Sequence, residues 1–207
     1  MGLLTKNIET LDDAFVHVLQ TTYYAEKQIT KALPKMIDKA TSPELKQGFE
    51  THVRETENHA HRLEQVLRMH GTEPQEATCP AIDGIIKAGN SMAGDIADRH
   101  VLDAALASAA QMVEHYEIAQ YGTLIAWARE MGREDCAKVL AETLGEEKAT
   151  DEKLTRLAES RINRSAKHQA ACLEVAPMRA RVVSSASAIL HLTDPIGRLL
   201  LGPKARH

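Results

Sequence analysis

The sequence has few aromatic residues and few cysteines, and both shortages limit what the protein can be. Phenylalanine, tryptophan and tyrosine together make up 3% of the 207 residues, whereas alanine, leucine, glutamate, lysine and glutamine, which favour helices over sheets, are plentiful. The cysteines are Cys79, Cys136 and Cys172. Because they are widely spaced and odd in number, they indicate neither a disulfide framework nor a thiolate metal site. We therefore expect an all-α protein in the reducing cytoplasm.

The chain also lacks an excess of positive charge and a long hydrophobic run. A formal net charge of -4 at pH 7 and a pI near 6.2 argue against nucleic-acid binding, which uses a strongly basic surface. No apolar stretch approaches the roughly 20 residues of a membrane span, and the N-terminus lacks the pattern of a secretion signal. We expect a soluble protein with one helical domain at residues 1–164 and a tail at residues 165–207.

Apolar residues recur every three or four positions along four long segments, which is the period of amphipathic helices. The first segment starts near Leu11 and contains Pro34, which we expect to kink or end the helix near its last turn. Ser42 is the predicted N-cap of the second helix, with Pro43 at its first position, and Gly71 should stop that helix. These two helices should form an antiparallel hairpin.

The second half of the sequence repeats this arrangement after a longer connection. Residues 72–98 have a weaker pattern, which we interpret as a long crossover that holds a short helix. A third helix is predicted at about residues 99–131, with Gly132 as its stop, and a fourth at about residues 133–164. Two hairpins joined by one long crossover are typical of ferritin-like four-helix bundles, whose glutamate and histidine ligands project inward.

Carboxylates interrupt the apolar stripes where core residues are expected. Glu26 lies on the first stripe, and Glu117 lies on the third, with Glu114 one turn before it. Glu147 and Asp151 lie on the fourth stripe. An ionised carboxylate in an apolar interior costs several kcal/mol unless it is paired or bound to a metal. We therefore expect something cationic between the helices.

The positions of the acids along the bundle agree with one another. On the second stripe, His59 takes a core position and Glu55 flanks it. Glu26 and Glu55 are equally far from the first hairpin turn, and Glu117 and Glu147 are equally far from the second. At 1.5 Å per residue, a separation of about 15 residues places each acid about 22 Å from its turn. These four carboxylates should therefore converge at one level.

Four runs of sequence carry a resemblance to a known family. They are YYAEKQ at residues 23–28, ET at 55–56, VEHYEIAQYGTL at 113–124 and EEKATD at 146–151. These runs resemble the YciF/YciE family of bacterial ferritin-like stress proteins, and the similarity covers about residues 4–164. The resemblance implies a ferritin-like bundle, a homodimer, a dinuclear iron site and a role in the stress response.

The resemblance also implies a set of metal ligands. By position they are Glu26, Glu55, Glu114 or Glu117, Glu147 and Asp151. The Glu-x-x-His spacing of ferritin-like helices is absent, because Asn58 and Thr150 stand three residues after the acids of the second and fourth helices. A spacing of four, as in Glu55 with His59, also keeps two partners on one face. We expect a centre rich in carboxylates and poor in histidine.

Each of these side chains, taken alone, also has a structural explanation. Glu26 could be held by a buried lysine or arginine, and His52 or His59 could be a hydrogen-bonded core histidine. Because acids from three other helices are expected at the same depth, metal binding explains the set better. His59 is then the better ligand by spacing, while His52, near Glu55, supports the ligands. Oxygen and imidazole ligands suit iron or manganese, and the lack of thiolates argues against structural zinc.

We therefore predict two iron ions per chain, with manganese as the alternative metal. The predicted ligands are Glu26, Glu55, His59, Glu114, Glu117, Glu147 and Asp151. In this hypothesis Glu55 and Glu147 bridge the ions, and the centre reduces dioxygen or peroxide or oxidises Fe(II), as a di-iron oxidoreductase would. The alternative is a non-catalytic helical stress protein whose inward acids are protonated or ion-paired, and which acts by binding a partner.

The tail contains two apolar stretches, at residues 182–192 and 196–202, flanked by prolines and basic residues. These could pack on the dimer as a short helix. Docking on a membrane surface is disfavoured because the basic residues do not form one polar face. The Ile-Gly-x-Leu run at residues 196–199 resembles the loading signals that carry ferritin-like cargo into encapsulin shells. As a docking peptide, it would place apolar side chains in pockets of the shell.

Overall fold

Five α-helices make up most of residues 8–167, the part of the chain that the computed structural model describes. They are α1 (Leu11–Lys39), α2 (Pro43–Met69), α3 (Pro80–Asp95), α4 (Arg99–Glu130) and α5 (Glu134–Leu157). A π-helical stretch, Ala158–Ile162, continues α5. Within residues 8–167 there is no β-strand, so the all-α prediction is confirmed. None of the helices in this range combines the length and the apolar character needed to cross a bilayer.

The helix ends follow the chemistry of their local sequences. Thr10 caps α1 in a capping box, in which its hydroxyl oxygen accepts from the Asp13 N–H and the Asp13 carboxylate accepts from the Thr10 N–H. Ser42 caps α2, as predicted. Gly71 and Gly132 follow α2 and α4 with φ values of 79° and 71°. This left-handed conformation suits glycine, which explains why both helices stop where the sequence predicts.

Pro34 does not end α1, which continues to Lys39. A proline inside a helix removes one backbone hydrogen bond and crowds the carbonyl four residues before it. Pro34 lies on the exposed side of α1, where water can reach the carbonyl that has lost its donor. The helix therefore tolerates the proline, and the polypeptide turns only at residues 40–42.

The four long helices form the bundle. α1 pairs with α2 and α4 pairs with α5, and the two hairpins meet where α1 faces α4 and α2 faces α5. The shorter α3 lies within the crossover and packs against α4 and α1. The predicted arrangement, two antiparallel hairpins joined by a long crossover with a short helix, is confirmed.

A buried aspartate ties the first hairpin turn to α4. The Asp103 carboxylate accepts hydrogen bonds from the backbone N–H groups of Thr41 and Ser42, at 2.7 and 2.9 Å, and from the Thr41 hydroxyl at 2.6 Å. Hydrogen bonds to an ionised acceptor are roughly twice as strong as neutral ones. These contacts set the height at which the first hairpin meets α4, and with it the register of the side chains further along the bundle.

The core consists of two apolar clusters with a polar layer between them. Ile29 and Phe49 belong to the cluster near the first hairpin turn, and Leu19 and Leu63 belong to the other. On α2, α4 and α5 the predicted carboxylates and histidines lie between these clusters in sequence, and on α1 Glu26 lies between Ala25 and Ile29 of the first cluster. The tail, with its docking run at residues 196–199, lies outside the described residues, and the division at residues 164 and 165 stays a prediction.

Candidate metal centre

Two groups of acidic and histidine side chains meet in the polar layer, and they share one member. The first group consists of His52, Glu114, Glu117 and Glu147, and the second consists of Glu26, His59 and Glu147. Within each group the candidate ligand atoms all lie within 4.8 Å of one another. All six side chains are buried, and His52, the most exposed of them, is only 3% exposed. Glu147 belongs to both groups.

Every long helix contributes to this cluster. Glu26 comes from α1 and Glu147 from α5, while α2 and α4 each supply two members. His52 and His59 are seven residues apart, which is close to two helical turns, so they share a face of α2. The same periodicity that builds the apolar stripes thus directs these polar side chains inward.

The buried polar atoms that lack a hydrogen-bond partner are concentrated in these six side chains. In the part of the chain that the structure describes there are nine such side-chain atoms. All nine belong to Glu26, His52, His59, Glu114, Glu117 and Glu147. Buried polar groups are nearly always paired, because an unpaired one costs about 1–3 kcal/mol. Two of the nine, His59 Nδ1 and Glu147 Oε1, lie 2.8 Å apart as an ion pair without hydrogen-bond geometry. The set as a whole fits metal ligands, whose lone pairs point at an ion rather than at a donor.

His59 is held from outside by a carboxylate. Its Nε2 lies 2.8 Å from Glu146 Oε2, and Arg62 binds both oxygens of Glu146 at 2.6 and 2.9 Å. The other nitrogen, Nδ1, faces inward and lies 2.8 Å from Glu147 Oε1 and 3.7 Å from Glu26 Oε2. Histidines that bind metals usually have such a partner on the second nitrogen, because it fixes the ring and its tautomer.

A buried tyrosine orients Glu26. The Tyr121 hydroxyl donates a hydrogen bond to Glu26 Oε1, which leaves Oε2 without a hydrogen-bond partner on the side of His59. Tyr121 is fully buried. Its position gives it a polar role, because it determines which oxygen of Glu26 faces the centre.

His52, rather than Glu55, enters the first group. His52 Nε2 lies 3.1 Å from Glu114 Oε1, whereas its Nδ1 lies 3.7 Å from Glu55 Oε2. The Glu55 side chain is 29% exposed. At 3.6 residues per turn, Glu55 points about 60° away from His52, whereas Thr56 and His59 lie within about 40° of it. Glu55 therefore lies beside His52 and outside both groups, and its role as a bridging ligand stays a prediction.

Asp151 also lies outside both groups. Its side chain is 22% exposed, and Oδ1 lies 3.3 Å from the Nε2 atoms of both His115 and Gln111. Asp151, one turn after Glu147, contacts these two side chains of α4 instead of the buried acids. Of the predicted ligands, the structure brings together Glu26, His59, Glu114, Glu117 and Glu147.

The sequence did not reveal the roles of three residues of this site. His52 was expected to support the ligands, and Glu146 and Arg62 were not singled out. The adjacent acids at Glu146 and Glu147 are a signal, because one can face inward and the other can reach the rim. Arg62, one turn after His59, is the matching signal on α2.

Burial raises the pKa of the acids in this layer. Loss of hydration raises the pKa of Glu26, and it raises the pKa of Glu114 to about 7. For Glu117, burial together with repulsion from Glu147 raises the pKa well above its usual range. Without a cation, these carboxylates bind protons more readily than exposed ones do.

The histidines respond to burial and to the acids in opposite directions. Burial acts to lower the pKa of His59, but Glu147 and Glu26 outweigh it and raise the pKa to about 10. The pKa of His52 likewise rises well above its usual range, because Glu114 and Glu55 outweigh the effect of burial. A metal ion would therefore compete with protons for these side chains.

Two grooves reach the cluster, and His52 and Glu114 line both of them. The groove between α2 and α5 also contains the charged residues Glu55 and Lys153. The groove between α1, α3 and α4 is lined mainly by apolar side chains. The first group therefore has two approaches, and the one between α2 and α5 has a carboxylate beside His52.

Comparisons with known proteins agree with this architecture. The family described as a domain of unknown function, DUF892, matches residues 10–167. Protein YciF of Escherichia coli (strain K12) is 43% identical over 165 residues, which cover 79% of this chain and 99% of that protein. The crystal structure of YciF, described there as a stress protein, matches with a TM-score of 0.72 over 75% of this chain and 99% of that chain.

Two further solved structures extend the comparison. YcfI from Rhodopseudomonas palustris matches with a TM-score of 0.72 and 52% identity, over 74% of this chain and 98% of that chain. A structure of ferritin-like, diiron-carboxylate proteins from Bacillus anthracis str. Ames matches with a TM-score of 0.57 and 15% identity, over 73% of this chain and 99% of that chain. At that identity the likeness concerns the fold alone, which is ferritin-like.

Proposed function

This chain belongs to the DUF892 family, and we propose that it is a metal-binding protein with a carboxylate-rich dinuclear iron centre. In this proposal the centre oxidises Fe(II) or reduces dioxygen or peroxide. One observation carries the proposal: among the described residues, all nine buried side-chain atoms that lack a hydrogen-bond partner belong to the six residues of the cluster. Carboxylate oxygen and imidazole nitrogen are donors that suit iron and manganese.

The two groups suggest how the ligands are divided. His52, Glu114, Glu117 and Glu147 would hold one ion, and Glu26, His59 and Glu147 would hold the other. Glu147 is then the shared ligand. A bound pair of Fe(II) ions would supply two electrons for the reduction of dioxygen or peroxide.

Surrounding residues would keep the ligands in place. Arg62 holds Glu146, which in turn holds the outer nitrogen of His59, and Tyr121 holds one oxygen of Glu26. The apolar clusters on either side keep bulk water away from the cluster. In the groove between α2 and α5, Glu55 stands beside His52, where Fe(II) arriving as a substrate would meet a carboxylate before it reaches the buried group.

Anaerobic titration with Fe(II), followed by elemental analysis, tests the proposal. The wild-type protein should bind about two ions per chain, and Glu147→Gln should bind almost none because both groups lose a ligand. Glu130→Gln is the matched control, since it removes the same charge from an exposed position on α4. On exposure to air, the bound Fe(II) should oxidise faster than Fe(II) in buffer. A wild-type protein that binds no iron would refute the proposal.

A non-catalytic role is the second candidate, and the raised pKa values of Glu114 and Glu117 favour it. Protons alone could then neutralise the buried acids, and the protein would act through a partner. The description of the relative YciF as a stress protein suits either candidate. In this case a chelator should leave the melting temperature of purified protein unchanged, whereas loss of a bound metal should lower it.

We also propose that the protein is a cytoplasmic homodimer, as the resemblance to the YciF/YciE family implies, and that its tail docks in an encapsulin-type shell. Deletion of residues 194–207 should abolish co-purification with a shell protein expressed in the same cells. Metal content and melting temperature should stay unchanged. A truncated protein that loses its dimer would contradict the docking role.

A further inference from the structure

The apolar groove between α1, α3 and α4 ends at the candidate metal centre. Its cavity volume is about 40 Å³, and the space rises to about 620 Å³ when the open solvent along the groove is included. Its apolar lining includes Ile29, Leu33, Ile86, Leu106, Ala110 and Val113. At its inner end stand His52 and Glu114, which belong to the first group of candidate ligands. A molecule that fills the groove as far as this end would therefore lie beside the centre.

The groove extends along α1 for several turns. Its α1 wall extends from Ile29 to Lys39, which is about 15 Å at 1.5 Å per residue. Gly89 of α3 brings that helix close to α4, since a Cβ atom at Gly89 would lie 3.0 Å from the Cβ of Ala109. A channel with this shape and lining suits a linear hydrocarbon chain better than a ring or an ion.

Two lysines stand at the end of the groove far from the centre. Lys35 and Lys39 both line it, are exposed and lie one turn apart on α1. Among the described residues, neither has a carboxylate partner within salt-bridge distance. Two like charges at this spacing repel each other slightly, so an anion between them would be stabilised.

We propose that this groove binds a linear alkyl carboxylate of the fatty-acid class. The carboxylate lies at Lys35 and Lys39, and the hydrocarbon tail extends toward His52 and Glu114. Binding depends on the groove alone. The end of the hydrocarbon tail would be the part nearest the ions, which would make the acid a substrate of the metal centre. That further role rests on the proposed function.

A series of chain lengths tests the proposal by calorimetry on the full-length wild-type protein. Burial of each methylene should tighten Kd about fourfold, so decanoate should bind about 15-fold more tightly than octanoate. Decanol, which lacks the carboxylate, should bind about fivefold more weakly than decanoate, as expected for the loss of an exposed ion pair. Affinities that do not depend on chain length would overturn the proposal.

Substitutions in the groove locate the binding site. Ala32→Phe fills the partly exposed mouth of the groove and should weaken decanoate binding at least tenfold, whereas Ala88→Phe, on the exposed side of α3, should not. If Ala32→Phe does not fold, Ala32→Leu serves as the milder variant. The double change Lys35→Gln and Lys39→Gln should weaken decanoate but not decanol. Its charge-matched control is Lys138→Gln with Lys148→Gln, both exposed on α5.

The outcomes separate this inference from the proposed function. Decanoate that binds Ala32→Phe as tightly as wild type would overturn the inference. Absence of binding would overturn it as well, and is expected if a second copy of the chain covers the groove. Iron content, measured on the same samples, is the independent readout. Iron without acid binding overturns only the inference, and acid binding by a protein that holds no iron overturns only the proposed function.

Discussion

Substitution of His52 by glutamine should halve the number of metal ions bound per chain, whereas Glu55→Gln should leave it near two. His52 belongs to the first candidate group, where its Nε2 lies 3.1 Å from Glu114. The second group does not contain it and should keep its ion. Glu55 lies 3.7 Å from His52 and outside both groups. Loss of such an outer partner lowers metal affinity about 10- to 100-fold without removing a ligand.

These differences in metal affinity can be measured as shifts in the melting temperature. At a free metal concentration 100 times Kd, one ion stabilises the folded state by about 2.7 kcal/mol. For a chain of this length, this stabilisation raises the melting temperature by about 5–11 °C. If Glu55→Gln weakens one ion about 30-fold, its contribution falls to about 0.9 kcal/mol, or about 2–4 °C. His52→Gln should remove that ion's contribution entirely.

Thermal melts with and without Mn(II) provide the assay, because the donor set suits manganese. Elemental analysis after gel filtration counts the ions that remain bound. Glu57→Gln, at an exposed position on α2, is the control and should behave as wild type. A Glu55→Gln protein that keeps one ion, together with a His52→Gln protein that keeps two, would refute the placement of His52 and return Glu55 to the ligand set.

Three further predictions concern the surroundings of the centre. Tyr121→Phe should lower the free energy of unfolding by about 1–3 kcal/mol, because a buried carboxylate oxygen loses its donor; an unchanged urea midpoint would contradict this hydrogen bond. Arg62→Met should weaken metal binding about 10- to 100-fold by loosening the outer carboxylate that holds His59, whereas Arg68→Met, on the exposed side of α2, should not change it. In the metal-free protein, stability should fall as pH rises from 4.5 to about 10. Glu114, whose pKa rises from 4.5 to about 7, stabilises the fold fully below pH 4.5, and His59, whose pKa rises from 6.5 to about 10, does so below pH 6.5. Urea unfolding at several pH values checks the sign, and stability that increases over this range would show that the metal-free centre is charged differently.

The sequence alone determined the number and order of the helices and several of their ends. Apolar residues at a period of 3.6 define the buried faces, and this signal needs no knowledge of neighbouring helices. Ser42, Gly71 and Gly132 mark helix ends through chemistry that acts within a few residues. The inward acids Glu26 and Glu147 were predictable in the same way, because each interrupts an apolar stripe.

Only the tertiary structure decided which polar side chains on α2 enter the centre. Glu55 and His52 are about 60° apart on the helix, and either could face inward until packing against α4 and α5 sets the rotation of α2. The contact of His59 with Glu146 joins residues 87 positions apart, so only the packing of α2 against α5 brings them together. The apolar groove likewise depends on how closely α3 approaches α4 at Gly89, because its walls come from separate helices whose distances arise only when the chain is folded.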